Sequence, residues 1–223
     1  MLDFMEVKVI KRKEYTYAVP FFKSIDSEDI MIKGGKFYAI WDEEKGLWNK
    51  NKGDAIKIID SEIQKVADDS GAIPELCEKS SEFKSTDKLN KYMDKDMWDI
   101  FKPLDTKVIF ANDKTTKEDY ATFKLNYSLE DGPTPNWDKL VSRLYDPEER
   151  EKIEWAIGAI VSGDSKLIHK FLVFYGEPGS GKSTILNIVE RMFSKYDVDK
   201  GKKYSYVTNF VAKDLGNANK EFA

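Results

Sequence analysis

The feature that most constrains the fold is residues 171–193, where an apolar run, a glycine-rich loop and an amphipathic segment follow one another directly. The apolar run, residues 171–175, has the composition of a strand buried on both faces of a parallel sheet. Residues 183–193 predict a helix, because large apolar side chains recur at helical spacing. These are Ile185, Ile188, Val189, Met192 and Phe193. A strand, a glycine-rich loop and a helix in this order form the local context in which backbone N–H groups can surround a phosphate.

The loop between strand and helix has the residue types that phosphate binding requires. Gly179 and Gly181 allow backbone conformations closed to other residues, so that N–H groups can approach phosphate oxygens. Lys182 supplies a positive charge for the β- and γ-phosphates, and the Ser183 hydroxyl is an oxygen ligand for Mg²⁺. Thr184 is expected to contact the α-phosphate. The predicted site for ATP and Mg²⁺ comprises Gly176, Glu177, Pro178, Gly179, Ser180, Gly181, Lys182, Ser183 and Thr184.

Hydrolysis needs more than this loop, namely an acidic residue near the metal and an arginine beside the transferring phosphate. A second strand is predicted at residues 204–208, but it carries no acid at its end. Asp214 and Glu221 lie in a segment of helical or irregular character, and Arg191 is expected at the helix surface. The catalytic residues therefore stay unknown. The chain is expected to stop inside an ATPase domain, with weak nucleotide binding and little hydrolysis on its own.

The N-terminal half has a different, α+β pattern. Residues 5–22 suit one or two strands, and residues 36–41 and 47–49 predict a hairpin around a turn that ends at Gly46. A helix is expected next, with Asp54 as its N-cap. Its apolar positions are Ala55, Ile58, Ile59, Ile63 and Val66.

The centre of the chain contains the predicted domain boundary. Residues 68–96 are polar, whereas residues 107–110 and 121–125 look like strands. Residues 131–135, with Gly132, Pro133 and Pro135, predict a linker, and helices are expected at 137–145 and 148–161, the second capped by Asp146. We therefore predict an accessory α+β domain at residues 1–135 and a truncated α/β P-loop NTPase domain of AAA+-like type at residues 136–223.

Composition excludes several classes of site. Cys77 and His169 are the only residues of their types, which excludes an intrachain disulfide and a cysteine-based zinc site and argues against a serine triad. No segment approaches the roughly 20 apolar residues of a membrane span. The N-terminus lacks the apolar stretch of a secretory signal, so no membrane association and a cytoplasmic location, host cytoplasm if the protein is viral, are expected.

Charge and aromatic residues leave two alternatives open. The net charge is −4, so nucleic-acid binding would need basic residues gathered on one face. Residues 8–13 and 200–203 are basic clusters, each interpreted either as such a face or, with more weight, as a solvated edge or loop. Four tryptophans lie in apolar patterns and are expected in the core rather than stacked on bases. They are Trp41, Trp48, Trp137 and Trp155.

The sequence resembles the helicase region of superfamily 3 proteins, the replication proteins of phages and plasmids and the poxvirus-type primase-helicases. Four segments carry this resemblance. They are Asp119-Tyr120 leading into residues 124–127, residues 135–138 (Pro-Asn-Trp-Asp), residues 155–163 and residues 170–176 running into the loop and Leu186-Asn187. The hairpin of residues 36–49 with its helix is similar to the accessory domain of these proteins, and residues 212–223 to the segment before their second acidic strand.

The resemblance implies the ATP-binding portion of a replicative DNA helicase that couples ATP hydrolysis to translocation on single-stranded DNA. It also implies a homo-oligomeric ring, usually a hexamer, with ATP sites between subunits. The family's Walker B acid, sensor asparagine and arginine finger have no counterpart here. A primase domain often precedes the helicase in such proteins, and none is recognised in these residues. The alternatives are a truncated, non-enzymatic module that docks on the full-length helicase or on DNA, and another P-loop ATPase such as a packaging motor or a kinase-like enzyme.

Overall fold

The computed structural model describes residues 2–78, 85–93, 101–163, 165–168, 172–197 and 201–207. The chain is a mixed α/β protein with small sheets, and it separates into two compact units. Unit 1 comprises Met1–Leu104 and Lys114–Thr122, and unit 2 comprises Asp105–Asp113 and Phe123–Ala223. No helix in the described parts of the chain has the length and apolar character needed to cross a bilayer.

Unit 1 contains two three-stranded sheets. In the first sheet, β1 (Met5–Arg12) pairs antiparallel with β2 (Tyr15–Phe22), which pairs in parallel with the short β6 (Ile73–Pro74). In the second sheet, β3 (Ile30–Lys33), β4 (Lys36–Asp42) and β5 (Leu47–Asn49) form an antiparallel meander. The strands predicted in residues 5–22 and the hairpin predicted at residues 36–49 are confirmed.

Helix α1 (Lys52–Ser70) follows the second sheet and fills the centre of unit 1. It begins earlier than predicted, because the Asn51 side chain accepts the N–H groups of Gly53 and Asp54 and is the N-cap. The assignment of Asp54 as the cap was therefore wrong. Asp54 lies in the first turn, where the helix dipole favours a carboxylate.

The core of unit 1 forms where one face of α1 meets both sheets. Ala55, Ile59 and Ile63 of α1 are fully buried in one cluster with apolar residues of the strands, such as Met5, Ile30 and Ile40. On its other side, the second sheet packs against Leu104 and Tyr120 of the same unit, and the Trp48 indole donates to the carbonyl of Lys117 at 2.9 Å. Trp41 packs edge-on against Trp48, so the core prediction for these two residues is confirmed.

After α1, the chain runs through Cys77 to α2 (Ser85–Lys91). The Asp60 carboxylate lies beneath this segment and accepts the backbone N–H groups of Cys77 at 2.6 Å and Glu78 at 2.9 Å. Burial raises the pKa of Asp60 above its ordinary value, and it raises the pKa of the Cys77 thiol to about 12. A buried thiol with so high a pKa is unreactive.

Unit 2 is built around three helices. Helices α3 (Pro135–Leu144) and α4 (Pro147–Ser162) form an antiparallel pair, and α6 (Lys182–Met192) packs against both. Short α5 (Ser165–Ile168) and the hairpin of β7 (Ser194–Asp197) and β8 (Lys202–Ser205) complete the described elements. The predicted Asp146 cap is confirmed, because its side chain accepts the N–H of Glu149 at 2.9 Å.

The strands predicted at residues 107–110 and 121–125 are not regular strands. Leu125 donates to the carbonyl of Ile109 at 2.8 Å and Ala111 donates to that of Tyr127 at 3.0 Å, but neither segment forms a regular strand. Instead the Tyr206 hydroxyl accepts the Ile109 N–H at 3.2 Å and donates to the Phe123 carbonyl at 2.8 Å. A side chain therefore occupies the place where a second strand would hydrogen-bond.

The division between the units falls earlier in the chain than the boundary we placed near Pro135. Val108, Phe110, Phe123 and Leu125 belong to an apolar cluster centred on Phe193, whereas residues 114–122 pack on unit 1. The chain therefore passes between the units more than once. The apolar residues before and after the polar segment 114–122 are buried in unit 2, whereas the segment itself belongs to unit 1.

The prediction of a buried strand at residues 171–175 was wrong for the residues that the structure describes. Residues 172–175 are irregular, and Tyr175 is 98% exposed. Only Phe174 packs inward, against Tyr145. Strand β8 overlaps the predicted second strand (residues 204–208) only at residues 204–205, and it pairs with β7 instead. Among the described residues no strand lies beside this segment, and an unpaired extended chain does not become a sheet strand.

Candidate nucleotide-binding site

The loop before α6 has the backbone conformation that its glycines suggested. Gly176, Gly179 and Gly181 have φ angles of 146°, 85° and 83°, all in the range that side chains disfavour. No heavy atom lies within 4 Å of the position that a Cβ atom would take at Gly179. The backbone of the loop is therefore strongly curved and open to solvent at its centre.

The Lys182 side chain folds back over this loop. Its Nζ lies 2.9 Å from the carbonyl oxygen of Gly176, 2.6 Å from that of Glu177 and 3.0 Å from the hydroxyl of Ser180. Three neutral oxygen atoms thus accept hydrogen bonds from one ammonium group. The positive charge is held at the mouth of the loop, close to the first turn of α6.

Helix α6 begins directly after Gly181, which is its N-cap. The first N–H groups of a helix have no acceptor inside the helix, and its N-terminus carries a partial positive charge. Ser183 and Thr184 are exposed in this first turn, so their hydroxyl groups are accessible. The loop, the helix N-terminus and the Lys182 ammonium together form a small positive region suited to an anion.

Helix α3 supports the loop from behind. A Cβ atom at Gly181 would lie 2.7 Å from Cδ1 and 2.9 Å from Cδ2 of Leu144, the last residue of α3. One turn further along, Val141 and Ile185 are both fully buried, which joins α3 to α6. Leu144 was not recognised from the sequence as part of the site, although its apolar character at the end of an amphipathic helix was a signal for a packing role.

A polar network ties α3 to α4 on the side away from the loop. The Trp137 indole donates to Glu154 at 2.8 Å, and the Arg150 guanidinium donates to Glu154 at 2.8 Å and to Asp138 at 2.5 Å. Trp137 is half-buried beside it. Trp137 and Asp138 of the segment at residues 135–138 thus connect α3 to α4, the helices that support the loop.

Next to this network lies a cavity of about 530 Å³. Apolar side chains of α3, α4 and α6 form most of its wall, with a few polar groups at the rim. The lining residues are Thr134, Asn136, Trp137, Leu140, Glu154, Ile157, Ile188 and Met192. The cavity adjoins the C-terminal half of α6, so it is not part of the loop site.

Several predicted residues do not join the loop. Trp155 is 54% exposed, and its predicted core position was wrong because it lies between Ile153 and Ile157, which face the core. Arg191 is exposed, as expected. His169, Phe171, Lys200 and residues 208–223 lie outside the described residues. Within the described residues, no three His, Cys, Asp or Glu side chains group together in a way that could hold a metal ion.

The loop residues nevertheless fit a nucleotide with its metal. The open curvature at Gly179 leaves room for phosphate, and the exposed Ser183 hydroxyl offers the kind of oxygen ligand that Mg²⁺ prefers. Comparison of the chain with models of protein families, with curated proteins and with solved structures gave no match. The chain is thus a mixed α/β protein with a glycine-rich loop at the N-terminus of α6.

Proposed function

We propose that residues 176–184 bind the phosphates of ATP together with Mg²⁺. The observation that carries this proposal is the placement of the Lys182 ammonium, bonded to three oxygen atoms of a loop whose glycines all have positive φ angles. Phosphate oxygens are charged and are stronger acceptors for an ammonium than neutral carbonyls. Nucleotide binding would therefore transfer the Lys182 hydrogen bonds from the loop to the β- and γ-phosphates.

The other residues of the loop have separate roles in this proposal. Backbone N–H groups from Gly179 to Thr184 would donate to the phosphates, assisted by the partial charge of the α6 N-terminus. The Ser183 hydroxyl would supply one ligand to Mg²⁺, with phosphate oxygens and water in the other positions. Bound Mg²⁺ neutralises phosphate charge, and Ser183 positions it.

We further propose that the chain is the ATP-binding portion of a replicative DNA helicase of superfamily 3. Support comes from the resemblance of residues 119–193 to that family. Unit 1, whose hairpin and helix resemble the accessory domain, would precede the ATPase. Single-stranded DNA and further copies of the chain in a ring would be its partners in the full-length protein.

A nucleotide titration tests the binding proposal. Fluorescence of a labelled ATP analogue with Mg²⁺ is measured for the wild type, for Lys182→Ala and for Lys139→Ala. Lys139 is an exposed lysine of α3 and serves as the matched control. We expect Lys182→Ala to weaken binding at least about tenfold, since a charge-assisted contact contributes about 1.5–3 kcal/mol, and Lys139→Ala to bind like the wild type.

A second variant tests the role of Ser183. Ser183→Ala is expected to reduce the gain in affinity that Mg²⁺ gives, while binding of the metal-free nucleotide stays the same. Equal signals from the wild type and Lys182→Ala would overturn the proposed site. Normal nucleotide binding without nucleotide-dependent assembly or DNA unwinding by the full-length protein would leave the site intact and overturn the helicase proposal.

A further inference from the structure

One face of the first sheet of unit 1 lies opposite the face that joins the main core cluster, and its residues are exposed or half-buried apart from Val19, which is fully buried. Strand register places Glu6, Lys8, Ile10 and Arg12 of β1 on the same face as Tyr15, Tyr17, Val19 and Phe21 of β2. The opposite face carries Met5 and Ala18, which belong to the core. We call the first set the outer face. Its exposed rings are large, since Tyr15 is 58% exposed and Phe21 is 38% exposed.

The hairpin of β1 and β2 is basic in a chain that is acidic as a whole. Residues 5–23 contain five Lys or Arg residues and two Glu residues, whereas the whole chain has a net charge of −4. On the outer face itself, Lys8 pairs with Glu6 at 3.7 Å and Arg12 pairs with the buried carboxylate of Glu75. Lys13 is exposed in the turn, and Lys11 is exposed on the opposite face. Lys8, in a solvent-exposed pair of little strength, and Lys13 therefore provide the positive groups beside the outer face.

Positive groups and aromatic rings alternate on this face. The Lys8 ammonium lies 5.2 Å from the centre of the Phe21 ring, and the ammonium of Lys88 on α2 lies 5.7 Å from the same ring. The Arg12 guanidinium lies 5.4 Å from the centre of the Tyr17 ring. From Tyr15 to Phe21 the rings extend along about 20 Å of strand β2.

We propose that the outer face binds single-stranded nucleic acid. Exposed rings on a sheet give stacking platforms for unpaired bases, and neighbouring ammonium groups contact the phosphates. A duplex hides the faces of its bases, so it can use the lysines but not the rings. An acidic peptide or an anionic membrane likewise offers no flat base that could stack on the rings of Tyr15 and Phe21.

This inference is independent of the nucleotide site. It assigns a second binding surface to unit 1, and it needs neither ATP nor the loop before α6. Lys182→Ala should therefore bind single-stranded DNA like the wild type in buffer without nucleotide. A loss of DNA binding in Lys182→Ala would move the nucleic-acid contact to unit 2 and overturn the inference.

The test is fluorescence anisotropy of the full chain with labelled oligo-dT and oligo-U of about 20 nucleotides, longer than the site of a single small domain. Duplex DNA of the same length and vesicles with acidic phospholipids are the competing ligands. The ring variant is Tyr15→Leu with Phe21→Leu, which keeps apolar volume but removes the π-faces. Its control is Tyr196→Leu, an equally exposed tyrosine of β7.

The charge variant is Lys8→Gln with Lys13→Asn, because asparagine tolerates the positive φ of 54° at residue 13. Its control is Lys57→Gln on α1, an exposed lysine of the same unit. The DNA and RNA arms show which single strand is preferred. Circular dichroism of each variant shows that the fold is kept.

We expect the ring variant to raise the Kd for a single strand at least about tenfold, given typical base-stacking contributions. The charge variant should lower the slope of log K against log salt by about 1.4, about 0.7 for each phosphate contact. Both controls should match the wild type. Absence of single-strand binding, an unchanged Kd in the ring variant, or equal affinity for duplex or vesicles would overturn the inference.

Discussion

Two glycines of the loop before α6 differ in one respect that a pair of alanine substitutions can isolate. Gly179 and Gly181 have nearly equal φ angles, 85° and 83°. A Cβ atom at Gly181 would lie 2.7 Å from Cδ1 of Leu144, whereas a Cβ atom at Gly179 would meet nothing within 4 Å. The backbone cost of alanine is therefore the same at both positions, and the steric cost arises at Gly181 alone.

The magnitudes follow from these two contributions. A left-handed conformation costs an L-residue about 1–2 kcal/mol. The methyl group at residue 181 must also displace the end of the half-buried Leu144 side chain, which adds about 1 kcal/mol, the lower end of the cost of overpacking. We expect Gly179→Ala to lower the free energy of unfolding of unit 2 by about 1–2 kcal/mol, and Gly181→Ala to lower it by about 2–3 kcal/mol, the sum of both contributions.

Hydrogen exchange with mass spectrometry measures this difference on peptides that cover α6. Peptides from α1 in unit 1 serve as the internal reference, because neither glycine belongs to that unit. Each 1.4 kcal/mol of lost stability speeds exchange of the protected amides about tenfold when exchange follows the opening equilibrium. Gly181→Ala should therefore exchange faster than Gly179→Ala in α6.

A double mutant tests the cause of the difference. Leu144→Ala removes the side chain that the new methyl group would meet, so it should cost about 1 kcal/mol less in the Gly181→Ala background than in the wild type. Equal exchange rates for the two single alanine variants, or strictly additive costs of Gly181→Ala and Leu144→Ala, would refute the argument that α3 holds the loop through this contact.

Other predictions use the packing of individual side chains. Trp48→Ala should cost about 3–5 kcal/mol in urea unfolding because Trp48 is buried and hydrogen-bonded, whereas Trp155→Ala, at an exposed site, should change stability by less than about 0.5 kcal/mol. Asp146→Ala should lower the free energy of unfolding by about 1 kcal/mol, because the Glu149 N–H loses its acceptor, whereas Asp146→Asn keeps an acceptor and should lower it much less. Equal losses for the two variants in thermal unfolding would contradict the role of Asp146 as the cap. Cys77, with a pKa of about 12, should resist alkylation at pH 8 until urea unfolds unit 1, and rapid labelling of the native chain in mass spectra would contradict its burial.

The elements that were predicted correctly have ends that are set by residues close to them in the sequence. The cap at Asp146 and the αL glycine at Gly163 define both ends of α4, because Pro147 cannot continue a helix backward and Gly163 accepts a positive φ. The hairpin around Gly46 follows for the same reason. The loop of residues 176–183 also belongs to this group, since its three glycines allow the observed curvature and the helix starts directly after them.

Errors arose where one element depends on a partner elsewhere in the chain. Residues 107–110 and 121–125 have strand-like composition, yet they do not form regular strands, and the Tyr206 hydroxyl bridges the Ile109 N–H and the Phe123 carbonyl. No pattern around residue 107 predicts a hydrogen bond to a tyrosine about a hundred residues later in the chain. Leu144 is comparable, since its contact with the backbone at Gly181 depends on how two helices cross. Local periodicity contains no information about that crossing.

The segment at residues 172–175 has the composition of a buried strand, but most of its side chains are exposed. Its apolar side chains predicted a strand flanked on both sides, and Val173 and Tyr175 are instead 68% and 98% exposed. An apolar run states what the side chains prefer, but burial needs neighbours that supply both backbone hydrogen bonds and apolar contacts. Within the described residues only Phe174 finds such contacts, in the cluster behind the loop. The loop geometry at Gly179 and Lys182 therefore rests on the packing of α3 and α6, and it does not require that residues 172–175 lie in a sheet.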